Sequence, residues 1–538
     1  ALLVLLAATG LLLLIACANV TNLLLSQAAV RRREIAVRTV LGATRARIIR
    51  QLLTESVLLA VGGTVLGVAL APLLLRLLGA LMPPRLAGLA PAQLDWRVLG
   101  FAALLAVGTG IAIGLWPAAG SSRANLGETV NGGSGHGTTA AGAGLTRRLL
   151  VGAELALTLM LLIGSALMLR SFAKLMSVDS GLNPAHVATL EMSFGIDAKM
   201  WPARLARVQE MLDRLSAVPG IEAVGAVNDL PLGKEGGISL RVTTQEAPSA
   251  ATSSPTFYFA RYLIASGGYF KAMGIALVKG RTFTPADDSL APVAVIDRAM
   301  ADTVWPHQSP IGRRFSPGMV ANGQATDYTV IGVVDNVRVS GLDQPPGLQM
   351  YFSMGQQMPM DLTVVARGTL PPAALMARLR DVVRAVDPSQ AVHRVRMMDD
   401  VVNTSVAPRR ANTLLIALFG VLALVLAALG VYAVVSYSVA QRRREFGIRA
   451  ALGATGRNLT SLAAREVLWV LVLGIGVGLA GAWAASRVLA SLLFGVTTHD
   501  LATFVLAPLA LIIPAAIATL IPARRAARTN PMDVVREE

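Results

Sequence analysis

The sequence predicts a multi-span α-helical membrane protein with an α+β domain outside the bilayer, built on two copies of one helical unit. Three observations lead there. Hydrophobic residues make up 54% of the chain and charged residues only 15%, with mean hydropathy +0.59. A soluble chain of 538 residues is not expected to show that balance. Seven apolar runs are long enough to cross about 30 Å of hydrocarbon at ~1.5 Å per residue. Finally, RRREIAVRTVLGAT (residues 31–44) returns as RRREFGIRAALGAT (residues 442–455), with nine of fourteen letters identical and long apolar runs on both sides. A repeat at that distance reads as a duplicated membrane unit.

The runs lie at 1–26, 57–82, 97–119, 149–170, 411–438, 466–493 and 502–522. The net charge is +16, but the arginines gather at the ends of these runs. They therefore read as topology signals on a lipid bilayer, not as a nucleic-acid surface. Arg31, Arg32, Arg33, Arg38, Arg45, Arg47 and Arg50 follow the first run, and Arg147 and Arg148 precede the fourth. Arg442, Arg443, Arg444, Arg449 and Arg457 follow the fifth, and Arg524, Arg525 and Arg528 the seventh. The positive-inside rule places 27–56, 120–148, 439–465 and 523–538 in the cytoplasm. Strict alternation then leaves 83–96, 494–501 and the long segment 171–410 outside. The single cysteine, Cys17, sits in an apolar run, which excludes a disulfide framework and a cysteine-based zinc site.

The repeat extends beyond the basic segments. Glu55 aligns with Glu466 and Arg76 with Arg487 at the offset that places Arg31 on Arg442. Gly63 and Gly67 align with Gly474 and Gly478, so each copy carries small residues four apart, a spacing that lets helix backbones approach closely. After a small gap, Pro117 and Asn125 align with Pro522 and Asn530. The organisation expected is a first transmembrane unit at 1–119 with segment 27–56 between its first two helices. A Gly/Ser-rich cytoplasmic linker at 120–148 and a helix at 149–170 follow. The outside domain at 171–410 precedes a second unit at 411–522, with segment 439–465, and a tail at 523–538. The second unit has one helix before its outside domain and three after it, whereas the first shows only the last three. Because residue 1 is an alanine already within a span, we expect the chain to be the C-terminal part of a longer protein, preceded by another helix and another outside domain.

Between 171 and 410 the apolar runs shorten to strand length and alternate with polar residues, as in HVATLEMSF, FYFARYLIA and DYTVIGVVDNVRV. Amphipathic helical stretches lie at 202–218, 298–305 and 371–386. About 240 residues of this kind are enough to bury their own core, which argues for an α+β domain of two subdomains. NGGSGHGTTAAGAG (residues 131–144) reads instead as a flexible linker.

No catalytic constellation is visible. GxxxxGK[ST], HExxH and GxSxG motifs are absent, and His136, His186, His307, His393 and His499 are isolated from one another. The residues that stand out belong to helices. Glu34 and Arg38 are four apart, as are Glu445 and Arg449, with the acid N-terminal in each pair. On a helix that arrangement makes an ion pair on one face. Leu41 and Leu452 continue an apolar side, and Gly42 and Gly453 lie near the helix end. Each repeated segment is therefore expected to be a short amphipathic helix under the membrane. It would be gripped by a cytosolic partner, or else held as an anchor on acidic lipid. Glu154 lies inside the fourth run, where a carboxylate is costly; it marks a transport site or reaches the interface to pair with Arg148. Asn19 and Asn22 are expected to form interhelical hydrogen bonds. Arg76, Arg170 and Arg487 are expected to extend to the outer interface.

The segment RRREFGIRAALGAT ahead of a span resembles the FtsX-like permeases of ABC transporters, as does the tail PARRAARTNPMDVVRE (residues 522–537). The outside domain resembles the MacB-like periplasmic core domain in GGYFKAMGIALVKGRTF (267–283), VAVIDRAMADTVWPHQSPIGRRF (293–315) and YTVIGVVDNVRVSGLDQPP (328–346). Two units in one chain resemble the duplicated orphan subgroup of these permeases. The resemblance implies a type VII ABC permease of the bacterial cytoplasmic membrane, with its large domain in the periplasm. Such a protein passes ATP-driven motion across the bilayer, for efflux. ATP would be bound by a separate ABC ATPase subunit docked on residues 34–44 and 445–455, and this chain would hold no cofactor or metal and would not be an enzyme. A periplasmic adaptor and an outer-membrane channel are the further partners implied. The alternative is a regulatory transmembrane scaffold that controls a periplasmic partner, such as a cell-wall hydrolase, or a lipoprotein-release system.

Overall fold

A computed structural model describes residues 2–30, 44–81, 95–121, 138–194, 201–233, 237–244, 257–289, 291–318, 320–321, 324–357, 359–441 and 456–527. They form two compact units, one of 1–174 with 409–538 and the other of 175–408.

The first unit is helical. Its elements are α1 (Leu2–Val30), α2 (Arg45–Leu81), α3 (Trp96–Ser121) and α4 (Thr138–Met176), then α9 (Met398–Gln441), α10 (Gly456–Leu489) and α11 (Leu501–Ala527). Among the described residues, six helical stretches are long and apolar enough to cross a membrane: Leu2–Leu25, Ile49–Arg76, Leu145–Met176, Met398–Gln441, Leu468–Leu492 and Leu501–Pro522. The run at 97–119 is also one helix, α3, but its apolar stretch is the shorter Trp96–Ala112. Several helices overrun the apolar runs. α4 already starts at Thr138, so the end of the glycine-rich stretch expected to be linker is helical; the alanines interspersed there favour a helix. α9 is 44 residues long and begins with Asp399 and Asp400 in its first turn, where carboxylates suit the helix dipole. Large apolar side chains face outward along these helices, for example Leu66, Leu104, Val425 and Ile513, as expected of surfaces solvated by lipid.

The second unit is the α+β domain. One half joins β1 (Val187–Ser193), α5 (Trp201–Ser216), β2 (Ile221–Val227), β12 (Asp361–Gly368), α8 (Pro372–Val386) and β13 (Val392–Met397). Its strands lie in the order β2-β12-β1-β13, with antiparallel neighbours. This is the split βαβ arrangement of two interleaved units. α5 and α8 pack on the sheet through Val208, Met211 and Leu215 and through Leu375, Leu379 and Val383, which recur at helical spacing.

The other half is inserted between β2 and β12. It contains β3 (Ser239–Thr244), β4 (Tyr258–Ala265), α6 (Gly268–Met273), β5 (Leu277–Gly280), β6 (Val293–Asp297) and α7 (Arg298–Val304). β7 (Arg314–Ser316), β10 (Tyr328–Val334) and β11 (Gln349–Ser353) complete it, with a small hairpin of β8 (Val320–Ala321) and β9 (Gln324–Ala325). The strand path β11-β6-β10-β7-β3-β4 closes on itself because β11 also pairs with β4. Closure removes the free edges that would otherwise template aggregation. Its core is aromatic: Tyr328 meets Phe352 edge-on with centroids 4.5 Å apart, and Phe315, Trp305 and Tyr262 complete the cluster. The two halves touch closely where α6 crosses β2. A Cβ on Gly225 would come within 2.2 Å of the Tyr269 nitrogen, so only glycine fits there.

Candidate functional site

The transmembrane unit is held along α4 by small and polar residues. Glu154, Thr158 and Ser165 recur at helical spacing on α4 and face α9 and α1. Ser165 Oγ donates to the Ile416 carbonyl at 2.7 Å, and Thr158 Oγ1 to the Ala423 carbonyl at 3.5 Å. Where these hydroxyls approach, α9 presents Gly420 and Ala423; a Cβ on Gly420 would lie 2.6 Å from Ser165 Oγ. Nearer the start of α4, Asn19 of α1 joins the seam. Its Nδ2 donates to Glu154 Oε1 at 2.6 Å and to the Leu426 carbonyl at 2.9 Å. Glu154 is 1% exposed, and its Oε2 has no hydrogen-bond partner among the described residues. It makes no ion pair with Arg148. Gly430 of α9 closes the gap: a Cβ there would lie 2.3 Å from Glu154 Oε2 and 2.7 Å from Asn19 Oδ1. Asn22, one turn along α1, is buried, and neither amide atom is bonded to a described residue.

The glycine pairs behave differently in the two copies. A Cβ on Gly474 would meet Leu155 Cβ at 2.9 Å and the Gly152 carbonyl at 3.0 Å, and one on Gly478 the Ala156 carbonyl and Leu159 Cβ at 3.0 Å. These glycines seat α10 on α4. Among the described residues, nothing lies within 4 Å of a Cβ added to Gly63 or Gly67 of α2. In that half, close packing falls to Gly110 and Gly114 of α3, which meet Ala60, Val57 and Ser56 of α2 at 3.0–3.4 Å. Gly110 and Gly114 carry the same four-residue spacing of small residues as Gly63 and Gly67. By the alignment of Pro117 with Pro522, the counterparts of Gly110 and Gly114 are Ala515 and Thr519, both buried.

Glu34, Arg38, Leu41, Gly42, Glu445, Arg449, Leu452 and Gly453 lie outside the described residues. Arg170 forms an ion pair with Asp500, which caps α11 through Thr503. Arg487 stacks on Trp483 at 4.3 Å, and Arg147 on Tyr437 at 3.8 Å.

In the α+β domain a cleft of about 350 Å³ is lined by Glu191, Ser193, Asn228, Asp229, Asp361 and Arg394 among others. Its charges are engaged within the domain: Glu191 with Arg396 at 2.6 Å, Asp229 with Arg261, and Asp361 with Ser193 at 2.6 Å. No group of three or more His, Cys, Asp or Glu placed to hold a metal occurs among the described residues.

Fold and seam together define a multi-pass membrane protein whose helices are held by small and polar contacts, carrying an α+β domain of two cores. The FtsX-like permease C-terminal model matches the chain twice, at 6–126 and 417–531, and the MacB-like periplasmic core domain model matches 155–395. The chain belongs to the FtsX-like permeases with a MacB-like periplasmic core domain.

It is 28% identical over 276 residues to the macrolide export ATP-binding/permease protein MacB of Marinobacter nauticus, covering 49% of this chain and 41% of that protein. It is 27% identical over 295 residues to the probable syringafactin export ATP-binding/permease protein SyfD of Pseudomonas syringae pv. tomato, covering 51% and 41%. The chain thus spans less than half the length of these curated relatives. Among solved structures, the periplasmic region of MacB from Actinobacillus actinomycetemcomitans matches 43% of this chain and 97% of its own, at 15% identity and TM-score 0.28.

Proposed function

We propose that this chain is the permease subunit of a type VII ABC transporter in the bacterial cytoplasmic membrane, coupling ATP hydrolysis by a separate ATPase subunit to motion of its periplasmic domain, for efflux. The observation that carries the reading is the double FtsX-like match around a MacB-like domain, each copy holding the repeated basic segment. The relatives' names, ATP-binding/permease proteins for export, support the ATPase as partner and export as the task. ATP belongs to that partner. A periplasmic adaptor and an outer-membrane channel would complete the route. In this reading the segments at 34–44 and 445–455 are short helices gripped by the ATPase, with Glu34–Arg38 and Glu445–Arg449 facing it.

The experiment is capture of ATPase subunits by the purified chain together with their stimulated hydrolysis. Gly42→Pro, or exchange of the charges at Glu445 and Arg449, is expected to abolish both while membrane insertion persists. A broken helix costs about 3 kcal/mol or more, and like charges brought together at an interface cost several. Arg457→Gln should have little effect. Binding and stimulation left intact by the charge exchange would return these segments to the role of lipid anchors.

A further inference from the structure

The polar contact between α1, α4 and α9 does more than pack helices. Glu154 Oε1 accepts one hydrogen bond, from the neutral amide of Asn19, and Oε2 is buried with no partner among the described residues. An ionised carboxylate there would be stripped of water and offered a single neutral donor, whereas the neutral acid carries no such penalty.

Charged neighbours do not alter this. No described residue forms an ion pair with Glu154. On α4 itself, Arg147 and Arg148 lie about 10 Å away along the axis at ~1.5 Å per residue, and Arg147 is turned onto Tyr437 of α9. α1 brings only Cys17 as a titratable group. α9 brings Tyr432 and Tyr437, with Asp399, Asp400, Arg409 and Arg410 far along the helix. α10 adds Arg465, nine residues in from its start, and Arg487 near its end; Asp500 lies just before α11, and Arg524 near the end of that helix.

The gap itself is fitted to the carboxyl group. Gly430, which the repeat aligns with Asn19, leaves room for Glu154 Oε2 and Asn19 Oδ1, and any side chain there would displace them. Asn22 places a second unbonded amide one turn along the same helix.

We propose that Glu154 is a proton-binding site in the transmembrane core, held as the neutral acid while α1 and α9 close on it and releasing its proton when the contact at Asn19 and Gly430 opens. Release breaks the Oε2–H bond and passes the proton to water entering the gap, leaving a carboxylate. Closure of this seam is therefore linked to proton uptake, whatever drives the opening.

The test uses the full chain purified in detergent and follows thermal stability against pH for the wild type and for Glu154→Gln, which keeps the shape and an acceptor for Asn19. Stability that changes identically with pH in both proteins gives Glu154 no part in proton binding and overturns the proposal. Infrared spectra of wild type labelled with ¹³C-carboxyl glutamate decide independently, with Glu154→Gln as the control that lacks the labelled group. A labelled protonated-carboxyl band at neutral pH, lost in alkali, is the expected result. Its absence at neutral pH overturns the assignment.

Discussion

The two halves of the transmembrane unit carry the same glycine pair and use it in opposite ways. Gly474 and Gly478 press α10 onto α4, while a Cβ on Gly63 or Gly67 at the aligned positions of α2 would meet no described residue within 4 Å. The difference follows from the neighbour. The second half has α4, whose Gly152, Leu155, Ala156 and Leu159 fit against the glycines, and no described helix stands against the same face of α2. A small-residue spacing is thus a capacity for close approach, and whether it is used depends on what lies opposite.

The sharpest way to break this contrast is a pair of matched substitutions. Gly478→Leu should lower the thermal stability of the detergent-purified chain by about 1–3 kcal/mol through overpacking against Ala156 and Leu159. Gly67→Leu should stay within ~0.5 kcal/mol of wild type, since no described residue lies within 4 Å of the added side chain's Cβ. Equal losses at both positions would dissolve the asymmetry.

A second pair of aligned positions extends the comparison. Asn19 supplies the amide that reaches Glu154, and its counterpart Gly430 supplies the space. Gly430→Ala should cost about 1–3 kcal/mol by the same overpacking argument and should separate α1 from α9, read by loss of an engineered cross-link between them. Unchanged stability and cross-linking would mean that the gap is not closely fitted.

Assigning melting transitions to one unit or the other would sharpen both tests. In the α+β domain, Asp287 is fully buried and held to about 2, chiefly by hydrogen bonds from Arg281, with Thr284 adding to them. Its folded value lies below the unfolded one, so its contribution is present above the ordinary carboxylate range and fades as pH falls through that range toward about 2. Asp287→Asn should flatten that acid limb for the α+β transition and leave the helical one in place, as followed by calorimetry. A helical transition that shifted with it would merge the two units. Ser165→Ala, which removes one hydrogen bond to the Ile416 carbonyl, should cost only ~0.6 kcal/mol.

Much of this architecture was legible in the letters. Helix length and hydropathy are local properties, so the apolar runs mark the helices, and β1, β4 and β10 follow the alternation in HVATLEMSF, FYFARYLIA and DYTVIGVVDNVRV. α5, α7 and α8 likewise fall on the amphipathic stretches at 202–218, 298–305 and 371–386. Other features left no such mark. β11 reads QMYFS, fully buried and without alternation, because it lies inside the closed ring. The start of α4 within a glycine-rich stretch was obscured because glycine frequency outweighed the alanines between them.

What the sequence determines by itself is whatever depends on neighbours along the chain: the apolar spans, the duplicated unit, the basic segments and the spacing of small and polar residues. Tertiary structure decides which of the repeated residues meet. Gly63 and Gly474 read alike, as do the two halves of the strand pattern that separate into a split βαβ sheet and a closed ring. Only assembly places Glu154 opposite Asn19 and Gly430, residues more than a hundred positions away in either direction. The physical reason is that hydropathy and helix spacing act over a turn or two, whereas close packing and buried hydrogen bonds need a partner surface that no local pattern encodes.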